Sequence, residues 1–227
     1  VRVFEIQKIR RSCRLADEIL AEIVGNLRRG KSEIDIAREI RRLAKSKSGR
    51  IAFQPIVAFG RNSATPHHRP TARRLKKGDI VKIDLGVKYQ GWCSDITRTF
   101  FTVEPTKLQR EVYEAVLRAQ QIGIRKIKIG MKAKDLDAAA RNFLAKEGFG
   151  KNFIHSLGHG IGRKVHTAPK IGPKSKSVLE KKTAITIEPG IYLKNKFGVR
   201  IEDSLLVKKN GVELLTKFPK KLTVLKI

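Results

Sequence analysis

The stretch Ile80–Phe101, IVKIDLGVKYQGWCSDITRTFF, decides how the rest of the chain is read. It has the pattern of two strands joined by a short connection containing Gly91. Asp84 falls inside the first strand and Asp95 near the start of the second. Asp is a poor strand former, and a carboxylate in an apolar strand pays a desolvation cost unless a charge offsets it. Two such acids on facing strands also repel each other. A cation held between them removes both problems, and oxygen ligands suit hard or borderline divalent metals.

A second stretch has the same design. Ala184–Val207, AITIEPGIYLKNKFGVRIEDSLLV, places Glu188 in one apolar strand and Glu202 in the next. KIDLGVKY and TIEPGIYL match acid for acid, and Gly86 for Gly190. Any one of these acids alone reads as a structural polar residue. Four acids in two similar hairpins point to one shared metal site.

Working outward, each half of the chain runs through the same order. Residues 4–28 carry apolar residues at helical spacing, with Gly30 as the expected stop. Ser32 is the expected N-cap of a second helix that stops before Gly49. Phe53–Gly60 reads as a strand, residues 61–74 as a polar loop holding His67 and His68, and the first acidic hairpin follows. The second half starts a long helix at Thr106, breaks at Gly130, and continues with a shorter helix over about Ala133–Lys146. Then come FIHSLGHGIGRKVH (153–166), a Lys-rich loop over 170–182 read as solvated, and the second acidic hairpin. GKSEIDIAREIRRLAKSKSG and GMKAKDLDAAARNFLAKEGFG occupy equivalent places. This is a long internal repeat of two half-domains, about 1–104 and 105–227, whose hairpins meet at the centre.

Composition bounds the class. At 227 residues and 41% apolar content the chain is long enough for a sizeable core. No apolar run spans a bilayer and no secretory signal is visible. Cys13 and Cys93 make no disulfide framework, which fits a reducing, cytoplasmic setting. The net charge of +29 favours loose association with RNA or ribosomes. The excess is spread along the chain, without zinc-finger spacing or an aromatic-rich basic strand, so a basic surface is the better reading than a dedicated nucleic-acid reader.

The histidines complete the chemistry. His155, His159 and His166 lie in one segment with Gly158, Gly160 and Gly162, which let the backbone bend close to a site. Four carboxylates and one imidazole are the inventory for two divalent ions sharing a water or hydroxide, the nucleophile for a carbonyl, with other imidazoles polarising that carbonyl or donating a proton.

Taken together, PHHRP, the Ile80–Phe101 hairpin, HSLGHGIGRKVH, TIEPGIY and GVRIEDS resemble the metallopeptidases of the pita-bread fold: methionine aminopeptidase, prolidase and aminopeptidase P. The resemblance covers essentially the whole chain. It implies an α+β, pita-bread (creatinase/aminopeptidase) architecture: two pseudo-symmetric halves with a central curved antiparallel sheet covered by helices, in one catalytic domain over 1–227. It also implies roles. Asp84 holds one metal through both oxygens, Asp95 and Glu202 bridge two ions, and His159 and Glu188 complete the other. His67 is the substrate-side histidine, His155 and His166 bind substrate and steady the tetrahedral intermediate, and Arg200 stands beside the site. His68 matches no role and is expected to face solvent.

GVRIEDS, HSLGHG and the Pro-His loop are similar to the Xaa-Pro-cleaving branch, and the Cys-His-Gly and QFEHT-like elements of methionine aminopeptidases are missing. Two departures stand out: the expected absence of the separate N-terminal domain that larger relatives carry, and Thr167 where relatives often carry Glu. The implied activity is hydrolysis of Xaa-Pro bonds at peptide N-termini by attack of a metal-bridging hydroxide, with Glu188 shuttling the proton. The implied cofactors are two divalent ions, manganese or cobalt, with iron or zinc as alternatives. The implied partners are short peptides with proline in second position, the chain acting as a monomer or homodimer away from membranes. The alternatives are removal of an initiator methionine and, from another class, a non-catalytic module that binds RNA or ribosomes. Cys93 is read as a small apolar residue, and Tyr192 as core packing, with reach to the site as the alternative.

Overall fold

The computed structural model describes residues 3–227. Helix α1 spans Val3–Gly25 and α2 spans Glu33–Ser46. The predicted cap is present: Ser32 Oγ accepts from the Asp35 amide, and the Asp35 side chain accepts from the Ser32 amide in return. Helix α1 ends at Gly25, earlier than the apolar spacing suggests, because Leu27 reaches the core from the turn that follows. In the second half α3 spans Lys107–Lys126, capped by Thr106, and α4 spans Ala133–Lys146.

The strands are short. They are β1 (Arg50–Ile51), β2 (Ile56–Phe59), β3 (Ile80–Leu85), β4 (Val87–Tyr89), β5 (Trp92–Cys93), β6 (Ile96–Phe101), β7 (Gly158–Gly160), β8 (Thr167–Ile171), β9 (Ala184–Ile187), β10 (Gly190–Leu193), β11 (Phe197–Arg200), β12 (Asp203–Val207) and β13 (Val212–Leu214). All their pairings are antiparallel. The central ladder of the first half is β2-β3-β6, and that of the second is β13-β12-β9-β7-β8.

Each half packs its helices on its own ladder. Leu15, Ile19, Ile23, Ile36 and Ile40 from α1 and α2 meet Val57, Val81 and Ile83. Val112, Val116, Leu136 and Ala140 from α3 and α4 meet Ile185, Ile187, Val199 and Leu205. Cys13 and Cys93 are buried, unpaired thiols in a third apolar cluster beside Trp92 and Ile161. The halves join where Thr97 bridges to Glu202 and where Thr99 and Arg200 exchange hydrogen bonds. The helix faces of both sheets are therefore committed to core, and the face left for chemistry is the one at this join.

Two loops differ from expectation. The Lys-rich segment 170–182 is not wholly solvated, since Ile171 and Leu179 are fully buried and pin it down. His68 is not a solvent-facing neighbour: its Nε2 lies 2.8 Å from Glu33 Oε2, and its side chain is 12% exposed. Glu33, with no exposed side-chain surface, also accepts from the amides of Phe59 and Thr71, from Asn62 Nδ2 and from Thr71 Oγ1. A buried carboxylate needs such partners, and here they tie the His67–His68 loop to the start of α2.

Candidate metal centre

Three of the four acids lie in breaks of their strands, a correction to the expectation of acids within continuous strands. The β3/β6 ladder ends at Leu85 opposite Ile96, one residue after Asp95. The β9/β12 ladder ends at Ile187 opposite Asp203, leaving Glu188 and Glu202 in the gap before β10/β11. Only Asp84 lies inside a strand, opposite Thr97. At the breaks the backbone bonds elsewhere. The Glu188 amide donates to Leu157 O, the Glu202 amide to Thr97 O, and the Asp95 amide to Ser204 Oγ. Each donor that leaves its ladder finds a partner on another segment, and the kinks swing the carboxylates inward. His159 arrives on β7, where a Cβ on Gly158 or Gly160 would lie 2.0 and 2.1 Å from the carbonyl oxygens of Thr186 and Ala168. Gly162 has no such close neighbour, so the backbone-bending role expected of all three glycines falls to two.

All nine residues singled out above line one cavity of about 1080 Å3: His67, Asp84, Asp95, His155, His159, His166, Glu188, Arg200 and Glu202. Ligand atoms of Asp95, His159 and Glu202 lie within 4.8 Å of one another. His159 Nε2 is 3.2 Å from Glu188 Oε1 and 3.7 Å from Asp95 Oδ2. Its Nδ1 donates to Gly160 O, which leaves Nε2 as the nitrogen that faces the carboxylates. Asp84 gives Oδ2 to Arg200, so the two-oxygen contact expected of it is shared with a guanidinium.

The electrostatics of the site favour a cation. Burial, then repulsion from Glu202, Asp84 and Glu188, holds the Asp95 carboxyl well above its usual range. Burial, then Glu188 and Asp84, does the same to Glu202. Burial also raises Asp84, against the pull of Arg200. Asp84 Oδ1, Asp95 Oδ1 and Glu202 Oε1 are buried without a hydrogen-bond partner. Three orphaned carboxylate oxygens beside an oriented imidazole nitrogen fit a divalent metal, which supplies the missing partner and offsets the repulsion.

Around this centre the remaining groups form a relay. Arg200 Nη1 donates to Tyr192 Oη at 2.7 Å, and Tyr192 Oη lies 2.9 Å from His155 Nε2. His155 Nδ1 is 2.8 Å from Ser156 O and must carry a proton there, so neutral His155 accepts from the tyrosine. Burial pushes His155 down to about 4. His166 packs against His159, their ring centres 4.3 Å apart and tilted by 59°, and burial followed by that neighbour lowers it too. His67 stands exposed at the edge of the cavity. Tyr192 is thus buried, as core packing requires, and also bonded to two residues of the cavity. Its position four after Glu188, on β10, was the available signal. Thr97, which donates to Glu202 Oε2 at 2.6 Å, was missed: it is two residues from Asp95 and flanks the same face.

A curved antiparallel sheet built from two matching halves, with a carboxylate–histidine centre at their join, is the architecture of the pita-bread metallopeptidases. The profile of Metallopeptidase family M24 matches residues 7–209, and the chain belongs to that family. It is 42% identical over 219 residues to the Xaa-Pro dipeptidases of Pyrococcus horikoshii and Pyrococcus furiosus, a match covering 96% of this chain and 62% and 63% of theirs. The crystal structure of the prolidase from Pyrococcus horikoshii OT3 superimposes with a TM-score of 0.95, covering 97% of this chain and 64% of that one. That of an X-Pro aminopeptidase from Thermotoga maritima does so at 0.96, with 38% identity over 99% of this chain and 64% of the other. The chain therefore spans less than two thirds of the length of the relatives it matches. Its family is one of metal-dependent peptidases, and the Asp95–His159–Glu202 cluster is where its own residues answer that requirement.

Proposed function

We propose that this chain carries the active site of a peptidase that cleaves Xaa-Pro bonds at the N-termini of short peptides, using two divalent ions. The observation that supports it most directly is the set of three partnerless buried carboxylate oxygens, on Asp84, Asp95 and Glu202, in the cavity that also holds His159. Asp84, Asp95 and Glu202 with His159 and Glu188 are the residues that would hold the pair, with manganese or cobalt the best candidates for this oxygen-rich set. When bound, such ions supply Lewis acidity toward the scissile carbonyl and an activated water.

The chain's own residues do the rest. Glu188 takes a proton and returns it to the leaving nitrogen. A prolyl nitrogen carries no hydrogen in the peptide and its ring fixes the chain's shape, so the bond needs a dedicated pocket; like any amide nitrogen, it needs a proton on departure. His166, held neutral beside His159, and His67 at the cavity edge face the substrate. His155 is held by Tyr192 and Ser156 on its two nitrogens, so it acts with Tyr192 and Arg200 as one hydrogen-bonded wall. Within that wall the Arg200 guanidinium is the group whose positive charge would offset charge developing on the carbonyl oxygen.

The test is an assay with manganese or cobalt on Xaa-Pro dipeptides, Xaa-Pro tripeptides and Met-starting peptides, with Asp95→Ala as control. Proline-dependent cleavage abolished in D95A is expected. Equal cleavage in D95A removes the mechanism, and preference for Met-starting peptides replaces the substrate assignment. The proposal extends to a monomeric or homodimeric state in the cytoplasm. Loose RNA or ribosome association follows from the net charge of +29.

A further inference from the structure

Lys82 is a completely buried lysine that the chemistry above does not use. Alternation along β3 turns Val81 and Ile83 toward the helices, and sets Lys82 beside Asp84 on the opposite face. An ammonium removed from water is costly unless its donors are all satisfied. Lys82 Nζ donates to Ser63 O and Thr65 O at 2.8 Å each, and reaches Pro66 O at 3.5 Å. It forms no ion pair among the described residues; its partners are the carbonyls of the segment that leads into His67.

The same segment is gripped from the other half of the molecule. Arg200 Nη1 donates to Pro66 O at 3.2 Å, while its Nη2 holds Asp84. The Gly198 amide donates to Ser63 Oγ, and a Cβ at Gly198 would lie 2.4 Å from Ser63 O. The carbonyl immediately before His67 is thus where a side-chain nitrogen from each half converges. Lys82 Nζ also lies 5.1 Å from the centre of the Tyr192 ring, the residue that connects Arg200 to His155.

We propose that Lys82 is a positioning residue. It clamps the carbonyls of Ser63, Thr65 and Pro66 and so fixes His67 at the cavity edge, in register with Arg200 and the candidate metal centre. Its kinetic consequence rests on the reading of His67 as a substrate-side group, whereas the clamp itself does not.

Lys82→Met removes the charge and the donors at similar volume, and Lys82→Arg keeps both. Hydrogen exchange followed by mass spectrometry over residues 60–70 reads the clamp, including the Thr65 amide that bonds Asn62 O. In K82M this segment is expected to exchange about tenfold faster or more, β3 and β6 staying protected, with K82R within about threefold of wild type. Should K82M not fold, Lys82→Gln is compared with K82R by the same readout. Wild-type exchange in K82M (or in Lys82→Gln in its place) overturns the proposal, as does K82R exchanging as fast as K82M. For an Xaa-Pro peptide, K82M is expected to raise KM about tenfold with kcat within about threefold, and to add no more than about twofold in a His67→Ala background. Additive losses in the double variant overturn the route through His67. If wild type cleaves no Xaa-Pro peptide, the substrate assignment fails while the exchange result still decides the clamp.

Discussion

Asp95 and Glu202 show most clearly how one residue's environment can be set against its own charge. Both are buried, both are crowded by other acids, and each has an oxygen without a partner. Asp95→Asn removes one of the repelling charges. It is expected to raise the melting temperature of the metal-free protein while abolishing the rise that manganese produces in wild type. For wild type that rise corresponds to about 2.7 kcal/mol at a hundredfold excess over Kd. Calorimetry with and without metal checks both halves of the expectation. Tyr192 makes the complementary case, a hydroxyl that bridges Arg200 and His155. Tyr192→Phe is expected to cost about 1–2 kcal/mol of stability and to lower kcat/KM about tenfold, read by denaturant melts and steady-state kinetics.

At the scale of elements, the short strand β7 and the start of α2 matter most. Gly160 lets β7 pass close to the Ala168 carbonyl so that His159 can reach the acids. Gly160→Ala is expected to destabilise by about 1–3 kcal/mol or more and to weaken metal binding, whereas Gly162→Ala stays within about 0.5 kcal/mol in the same melt. Glu33 at the head of α2 anchors the His67–His68 loop. Burial acts to raise its carboxyl, but hydrogen bonds led by that of His68 outweigh this and hold it below its ordinary value of 4.5. A folded-state value below the unfolded one stabilises fully above about pH 4.5, and that contribution is lost as pH falls through the folded value. Glu33→Gln is therefore expected to lower stability by about 1–3 kcal/mol at neutral pH, with the deficit shrinking toward pH 3. A pH series of urea melts measures this.

At the scale of the whole molecule, the candidate metal site belongs to neither half alone. Asp84 and Asp95 come from the first, and His159, Glu188 and Glu202 from the second. Thr97 and Arg200 bond across the join. Metal binding is thus expected to bring the two halves into a single cooperative unfolding transition, seen as coincident loss of Trp92 fluorescence and far-UV ellipticity. The surplus of 50 basic over 21 acidic residues acts at the same scale. RNA binding is expected to weaken steeply with salt and to be unchanged by D95A, because it samples the whole surface and not the cavity. No helix among the described residues is long and apolar enough to cross a membrane.

The order of the helices and of the two acidic hairpins was legible in apolar period and turn residues, and Ser32 in its capping role. The candidate cluster was legible because a carboxylate in an apolar stretch has few physical excuses, and four of them in matching hairpins have fewer; of its members, Asp95, His159 and Glu202 bring ligand atoms within 4.8 Å of one another. What the chain could not reveal in one dimension was which long-range partners each polar group would find. His68 looked free until Glu33 came to it from α2, Tyr192 looked like packing until Arg200 and His155 met at its hydroxyl, and Lys82 was hidden among strand residues. The strand breaks that aim the acids were also decided in three dimensions, by amides that left their ladders for Leu157, Thr97 and Ser204. Periodicity and composition are local quantities, whereas the partner that makes a buried charge tolerable comes from a segment far away along the chain.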